Sequence, residues 1–252
     1  MSYVELHARS AFSFLRGASK PEDLAQRAGE LELPALALLD RDGVYGAPRL
    51  HGAARESNLR ARVGAELTME DGTVVPLLAA TRTGYQNLCQ LITETKLTER
   101  TDNGGRACLE RSRRDRTQPE PQADPRDRKR PCFATWAELA RYSDGLIALT
   151  GDEEGPVRHA WRTAGGEAAA AALQKLTAIF GRDRLYVELQ RQRVRGEERE
   201  IAFLADLAAA HGLPLLATGG VNYATRDARG IADVFTCLRL HTTLDAAGRR
   251  LA

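Results

Sequence analysis

Four cysteines, five histidines and a few serine hydroxyls are the first candidates for chemistry in this 252-residue chain. Cys89, Cys108, Cys132 and Cys237 include no Cys-x-x-Cys pair, so neither a zinc ribbon nor a thioredoxin-like site is indicated. Reduced thiols in the cytoplasm are the simplest reading. Ser10 and Ser13 have no His–Asp partners nearby in sequence, which argues against a nucleophilic serine. Gly219-Gly220 lacks the further glycines of a phosphate cradle. His51, His159, His211 and His241 fall inside or beside helical stretches and read as surface or packing residues. Cys237 and Cys89 read as core. His7 differs, because it closes an apolar strand. Function in a parallel α/β domain gathers where strands end. Those ends read His7-Ala8-Arg9-Ser10, Asp40-Arg41-Asp42-Gly43, Gly64-Ala65-Glu66, Glu188-Leu189-Gln190-Arg191-Gln192 and Thr218-Gly219-Gly220-Val221-Asn222-Tyr223.

The elements that must position these ends alternate in type. Strands are expected at 4–7, 35–39, 62–67, 74–80, 145–150, 185–189 and 214–218. Helices are expected at 21–32, 48–56, 85–99, 136–141, 167–180, 197–210 and 227–238. Ser19 is the expected N-cap of the first helix, with Pro21 in its first turn. Gly181 and Gly212 stop two later helices. Glu70-Asp71-Gly72-Thr73 is a hairpin turn signal. Most strands are too apolar for one wet face, so both faces should be buried. Six or seven strand–helix units favour a β/α barrel over an open sheet.

Residues 100–131 break the pattern. They are rich in Arg, Asp, Gln and Pro and almost free of apolar side chains, so they read as a flexible charged insertion. Their basic cluster could touch nucleic-acid phosphates; a solvated loop is the plainer reading. The chain's formal net charge is only +2, so it points to no partner globally. No window offers the roughly 18 apolar residues of a membrane span. The amino terminus lacks the basic and apolar regions of a secretory signal.

The strand ends carry a family resemblance. Leu6-His7-Ala8-Arg9-Ser10-Ala11-Phe12-Ser13-Phe14-Leu15-Arg16-Gly17-Ala18-Ser19 resembles the opening of PHP domains in C-family DNA polymerases, in the version of the error-prone DNA polymerase III alpha subunits. Leu36 to Ala47, Gly64 to Leu67, Tyr186 to Arg191, and Pro214 to Thr218 with Val221-Asn222-Tyr223-Ala224 resemble the later motifs, in order. The resemblance implies a distorted (β/α)7 barrel over residues 1–252, with 100–131 a disordered insertion and the polymerase palm and fingers absent. In active members, His, Asp and Glu at these ends hold two or three divalent metals, zinc or manganese, which lower the pKa of bound water.

Measured against that pattern, ligands are missing here. Arg9, Arg41, Gln192, Gly220 and Asn222 stand where the family carries His or Asp. His7 and Glu66 remain, with Asp40 and Asp42 as vestigial outer candidates. Two ligands cannot hold a multinuclear centre, and arginine repels metal ions at any practical pH. No catalytic residue and no cofactor is therefore expected of this chain; magnesium would belong to the missing polymerase core. His7 is expected to be a hydrogen-bonded strand-end histidine. Glu66 is expected to pair with Arg9 or Arg41, positive charge replacing positive charge.

The expected function is a non-catalytic, structural PHP domain within translesion DNA synthesis in the cytoplasm. Its partners would be polymerase domains in cis, with DNA and other replication proteins as further candidates. The chain alone would be a fragment, an engineered piece or a truncated gene product. A stand-alone metal-dependent phosphoesterase of the same superfamily is the alternative, and an independent interaction module is a third reading.

Overall fold

Strands of this protein alternate inward and outward side chains, and the period of two builds both the core and the site. In the computed structural model, which describes residues 3–98, 132–194, 196–248 and 251, seven strands form one sheet in sequence order. They are β1 (Glu5–Ala8), β2 (Ala35–Arg41), β3 (Arg60–Thr68), β4 (Val74–Ala79), β5 (Leu146–Leu149), β6 (Leu185–Gln190) and β7 (Leu215–Thr218). Six run in one direction; β4 alone is antiparallel to both neighbours, as its hairpin turn requires. The sheet curls back on itself. Arg9 N–H donates to the Val221 carbonyl at 2.8 Å, and Val221 N–H donates to the His7 carbonyl at 3.0 Å. A nearly closed seven-stranded barrel results, as expected from the sequence.

Helices pack outside it: α1 (Pro21–Glu30), α2 (Ala47–Glu56), α3 (Arg82–Leu97), α4 (Trp136–Arg141), α5 (Pro156–Ala164), α6 (Gly166–Phe180), α7 (Glu197–His211), α8 (Arg229–Arg239) and α9 (Leu244–Ala247). Helix α6 shows why. Ala169, Leu173, Leu176 and Phe180 recur every three or four residues and are all buried, forming one apolar stripe against the barrel. Outward residues of β3 to β6, such as Leu67, Leu77, Leu146 and Val187, join this larger core. Leu36 and Leu38 of β2 pack with α1 and α2. The intervening residues turn inward: Ala37, Leu39, Leu78 and Leu149 form a small plug with Leu6, Ile147, Tyr186 and Leu216. Two residues beyond Leu39 on the same face stands Arg41, and two beyond Tyr186 stands Glu188. The alternation thus places charged side chains directly above an apolar floor.

Several expectations need correction. Ser19 does not cap α1. Lys20 holds that position, with its N–H donating to Asp23 at 3.1 Å, while the Ser19 hydroxyl accepts the Ala224 N–H at 2.8 Å. Helix α3 starts at Arg82, three residues early, because the Thr81 hydroxyl accepts the Gly84 N–H. Helices α5 and α9 are additions. Strand β7 is not buried on both faces, since Leu215 and Ala217 are exposed. Cys89 is half-buried and Cys237 buried. The expected insertion at 100–131, with Cys108, lies outside the described residues.

Candidate functional site

Parallel strands bring their carboxyl ends to one rim, and there the sequence delivers an unusual density of charge. His7 is fully buried between two carboxylates. Its Nδ1 lies 2.7 Å from Glu188 Oε1, and its Nε2 lies 2.8 Å from Glu66 Oε1. Carboxylates only accept hydrogen bonds, so both ring nitrogens must donate and the ring is an imidazolium. Burial is the largest single influence and opposes that charge, but the Glu188 and Glu66 carboxylates together outweigh it, and the pKa rises from 6.5 to about 10.

Glu66 binds two more cations. Arg9 Nη2 donates to Glu66 Oε1 at 2.5 Å, and Arg41 Nε donates to Oε2 at 3.0 Å. Register explains the second contact, because Arg41 and Glu66 are partners across β2 and β3. Burial favours a neutral carboxyl at Glu66, yet Arg9, Arg41 and His7 together hold it well below the ordinary range. The loop after β5 supplies two further acids. Arg9 Nη2 also donates to Asp152 Oδ2, while Arg41 donates to Glu154 at 2.6 Å. Arg16 grips Glu154 with two hydrogen bonds, at 2.5 and 2.9 Å. Against burial, Arg9 holds the Asp152 carboxyl down to about 2. Arg41 and Arg16 also lower the Glu154 carboxyl against burial, and His7 lowers that of Glu188.

The lattice is charge-balanced. His7, Arg9, Arg16 and Arg41 face Glu66, Asp152, Glu154 and Glu188. Removing so many ions from water is costly, and only mutual pairing with good hydrogen bonds makes it tolerable. The ion pair expected of Glu66 thus forms with both arginines at once. Asp152, Glu154 and Arg16 were not among the candidates from the sequence, and Glu188 was named there only as the start of a strand end. A signal existed for two of them: an apolar strand, 146–149, runs into Gly151-Asp152-Glu153-Glu154-Gly155 on the functional rim.

The other candidates are placed differently. Asp40 is buried, and its oxygens accept from Ser10 N–H, Ser10 Oγ and Ser13 Oγ at 2.8 to 2.9 Å. Burial pushes its pKa up. Asp42 accepts from the N–H and hydroxyl of Thr68, both at 2.8 Å. Both aspartates brace loops beside the lattice. Asn222 does join it, accepting from Arg9 Nη1 at 3.1 Å. Gln192 is exposed and donates to the Gly219 carbonyl at 2.8 Å. Gly220 has a φ of +59°, and a Cβ there would come within 2.7 to 2.9 Å of the Gln190 side chain. Gln190 itself donates to Glu188 at 2.9 Å.

A divalent metal cluster needs several free nitrogen and oxygen donors converging on one point. Both His7 nitrogens, both Glu66 oxygens and the facing oxygens of Asp152 and Glu154 are already bound to protein cations or carboxylates. The Arg9 guanidinium bridges Glu66 and Asp152. Glu188 Oε2 is a buried acceptor with no hydrogen-bond partner, but one oxygen is not a site. Among the described residues, no group of three His, Cys, Asp or Glu is arranged to hold a metal ion. The residues present therefore do not fit the metal centre that the fold family implies. Chemically, the arrangement pairs its own charges, and the doubly donating His7 has no ring lone pair free in it.

Comparison with known proteins fits this barrel. The family model described as PHP domain matches residues 5–192. This chain belongs to the PHP family. Among curated relatives, the PHP domain described here is 38% identical over 247 residues to the error-prone DNA polymerase of Symbiobacterium thermophilum, covering 97% of this chain and 21% of that protein. The error-prone DNA polymerase of Anaeromyxobacter sp. (strain K) is 36% identical over 254 residues, covering 99% and 19%. The chain thus spans about a fifth of the length of these relatives. Two solved structures share the PHP barrel's fold. A putative metal-dependent phosphoesterase from Bifidobacterium adolescentis has a TM-score of 0.53 at 14% identity over 88% of both chains. An amidohydrolase from Chromobacterium violaceum has 0.55 at 15% over 87% of both.

Proposed function

We propose that this chain is the PHP domain of an error-prone DNA polymerase and that its barrel is a non-catalytic, structural part of translesion synthesis. The observation that carries the reading is the Arg9 guanidinium, hydrogen-bonded to Glu66 and Asp152 in the centre of the rim. A fixed organic cation there neutralises the same carboxylates a metal would, yet provides no Lewis acid and no bound water to ionise. Support also comes from relatives at 36 to 38% identity over nearly the whole chain, each an error-prone polymerase about five times as long. The working context is the cytoplasm, where the polymerase domains would lie in cis. DNA and other replication proteins remain partners of the whole enzyme in this reading. No helix among the described residues is long and apolar enough to cross a membrane.

The test is the metal content of purified protein after loading with zinc and manganese. The expected result is below about 0.1 metal per chain, far from a stoichiometric cluster. Phosphate release from a model phosphodiester should be absent in the same samples. Two or more metals per chain with metal-dependent hydrolysis would replace this reading with that of a phosphoesterase.

A further inference from the structure

Helix α8 is set apart from the barrel. Its Ala232 and Cys237 are buried, yet among the described residues none of its side chains joins the three apolar clusters of the core. Its other face carries Ile231, Val234 and Leu238 at 49, 45 and 55% exposure, with Phe235 half-buried in the same stripe. The spacing i, i+3, i+4, i+7 puts all four on one side of the helix. Leu244 on α9 is equally exposed at 50%. Isolated exposed apolar residues are ordinary, but a helical stripe of them is the form in which amphipathic helices enter apolar grooves.

We propose that this stripe is where the domain docks onto the polymerase portion that its relatives carry in the same chain. The inference rests on the reading above and adds the contact surface. Two observations select this occupant. The PHP family model stops at residue 192, whereas similarity to the polymerases covers 97 and 99% of the chain. Helix α8 therefore lies in the stretch shared with polymerases and outside the general family match. Second, a few half-exposed side chains fall well short of the ~800 Å2 per partner that a stable separate complex buries. A neighbour in the same chain needs less, because linkage supplies the effective concentration.

The test replaces the matching fifth of the Symbiobacterium thermophilum polymerase with this chain. It is run with the native sequence and with Ile231→Glu, Val234→Glu and Leu238→Glu combined. Hydrogen exchange of α8 amides should be about tenfold slower in the chimera than in the isolated chain, as expected of a helix that gains a packed face. The triple variant should restore the isolated rate and lower primer extension, while leaving unfolding of the isolated chain unchanged. A chimera that extends primers with α8 exchanging as in the isolated chain overturns the docking surface alone. A native-sequence chimera without primer extension overturns the domain reading beneath it. Concentration-dependent dimers of the isolated chain, abolished by the triple variant, would make a second copy the occupant and overturn the proposal.

Discussion

At Glu66, one carboxylate faces three cations: His7, Arg9 and Arg41. Glu66→Gln keeps the shape and removes the charge. His7 would keep Glu188, Arg9 would keep Asp152, and Arg41 would keep Glu154, but the buried lattice would carry a net positive charge. Breaking a buried pair from one side costs about 3–5 kcal/mol. The urea midpoint should fall accordingly with an unchanged slope; a midpoint that stays put would show that Glu66 is not the keystone. The converse experiment is Arg9→His with Arg41→His. It removes two fixed cations, leaves the carboxylates in excess and adds two imidazoles. Zinc uptake approaching one ion per chain, on the order of a single occupied site, is expected by elemental analysis after loading. No uptake would count against the view that arginine charge stands in for metal charge.

Elements were more legible in the sequence than their mutual placement. All seven strands and seven of the helices could be read, because apolar period and Gly or Pro punctuation are local signals. Helix α5 went unread although Val157, Ala160, Trp161 and Ala164 recur at i, i+3, i+4 and i+7, because the pattern lasts only nine residues. The loop of Asp152 and Glu154 carries no recognisable motif of its own. Its role depends on Arg9, 143 positions away, and no local pattern states which strand ends face one another. Ser10 and Ser13 could be dismissed as nucleophiles, but their service to Asp40 needed the fold. The β1–α1 loop shows the same dependence. A Cβ at Gly17 would lie 2.0 Å from the Ser10 carbonyl oxygen, next to the Arg16 that holds Glu154. Gly17→Ala should cost about 1–3 kcal/mol by overpacking. Gly52, inside α2, would find nothing within 4 Å. Gly52→Ala should stabilise by roughly 0.5–1 kcal/mol through helix entropy. Thermal unfolding of the pair should shift in opposite directions, and shifts of one sign would refute the packing argument.

For the whole molecule, a formal charge of +2 conceals a rim lattice with four ions of each sign, and that lattice should set much of the pH profile of stability. Glu66, Asp152, Glu154 and Glu188 have depressed pKa values in the folded state, so they stabilise it above their ordinary values near 4. That contribution is lost as pH falls through the folded values, which for Asp152 is about 2. Asp40 and Asp42, raised by burial, run the other way and soften the acid limb. His7 has the opposite sign to the lattice acids. Its folded pKa is raised to about 10 from 6.5, so its contribution is complete below pH 6.5, shrinks as the unfolded imidazole loses its proton, and is gone above about 10. Stability should therefore peak between roughly pH 5 and 6.5 and decline slowly across the alkaline range. Urea midpoints measured at each pH should show this long alkaline slope in the native chain and not in His7→Gln, while the acid limb persists in both and is shallower in the variant, where Glu188 loses the cation that holds it down. If the native chain's decline were instead complete by about pH 8, His7 would be titrating near its ordinary value, and the imidazolium at the centre of the lattice would be wrong.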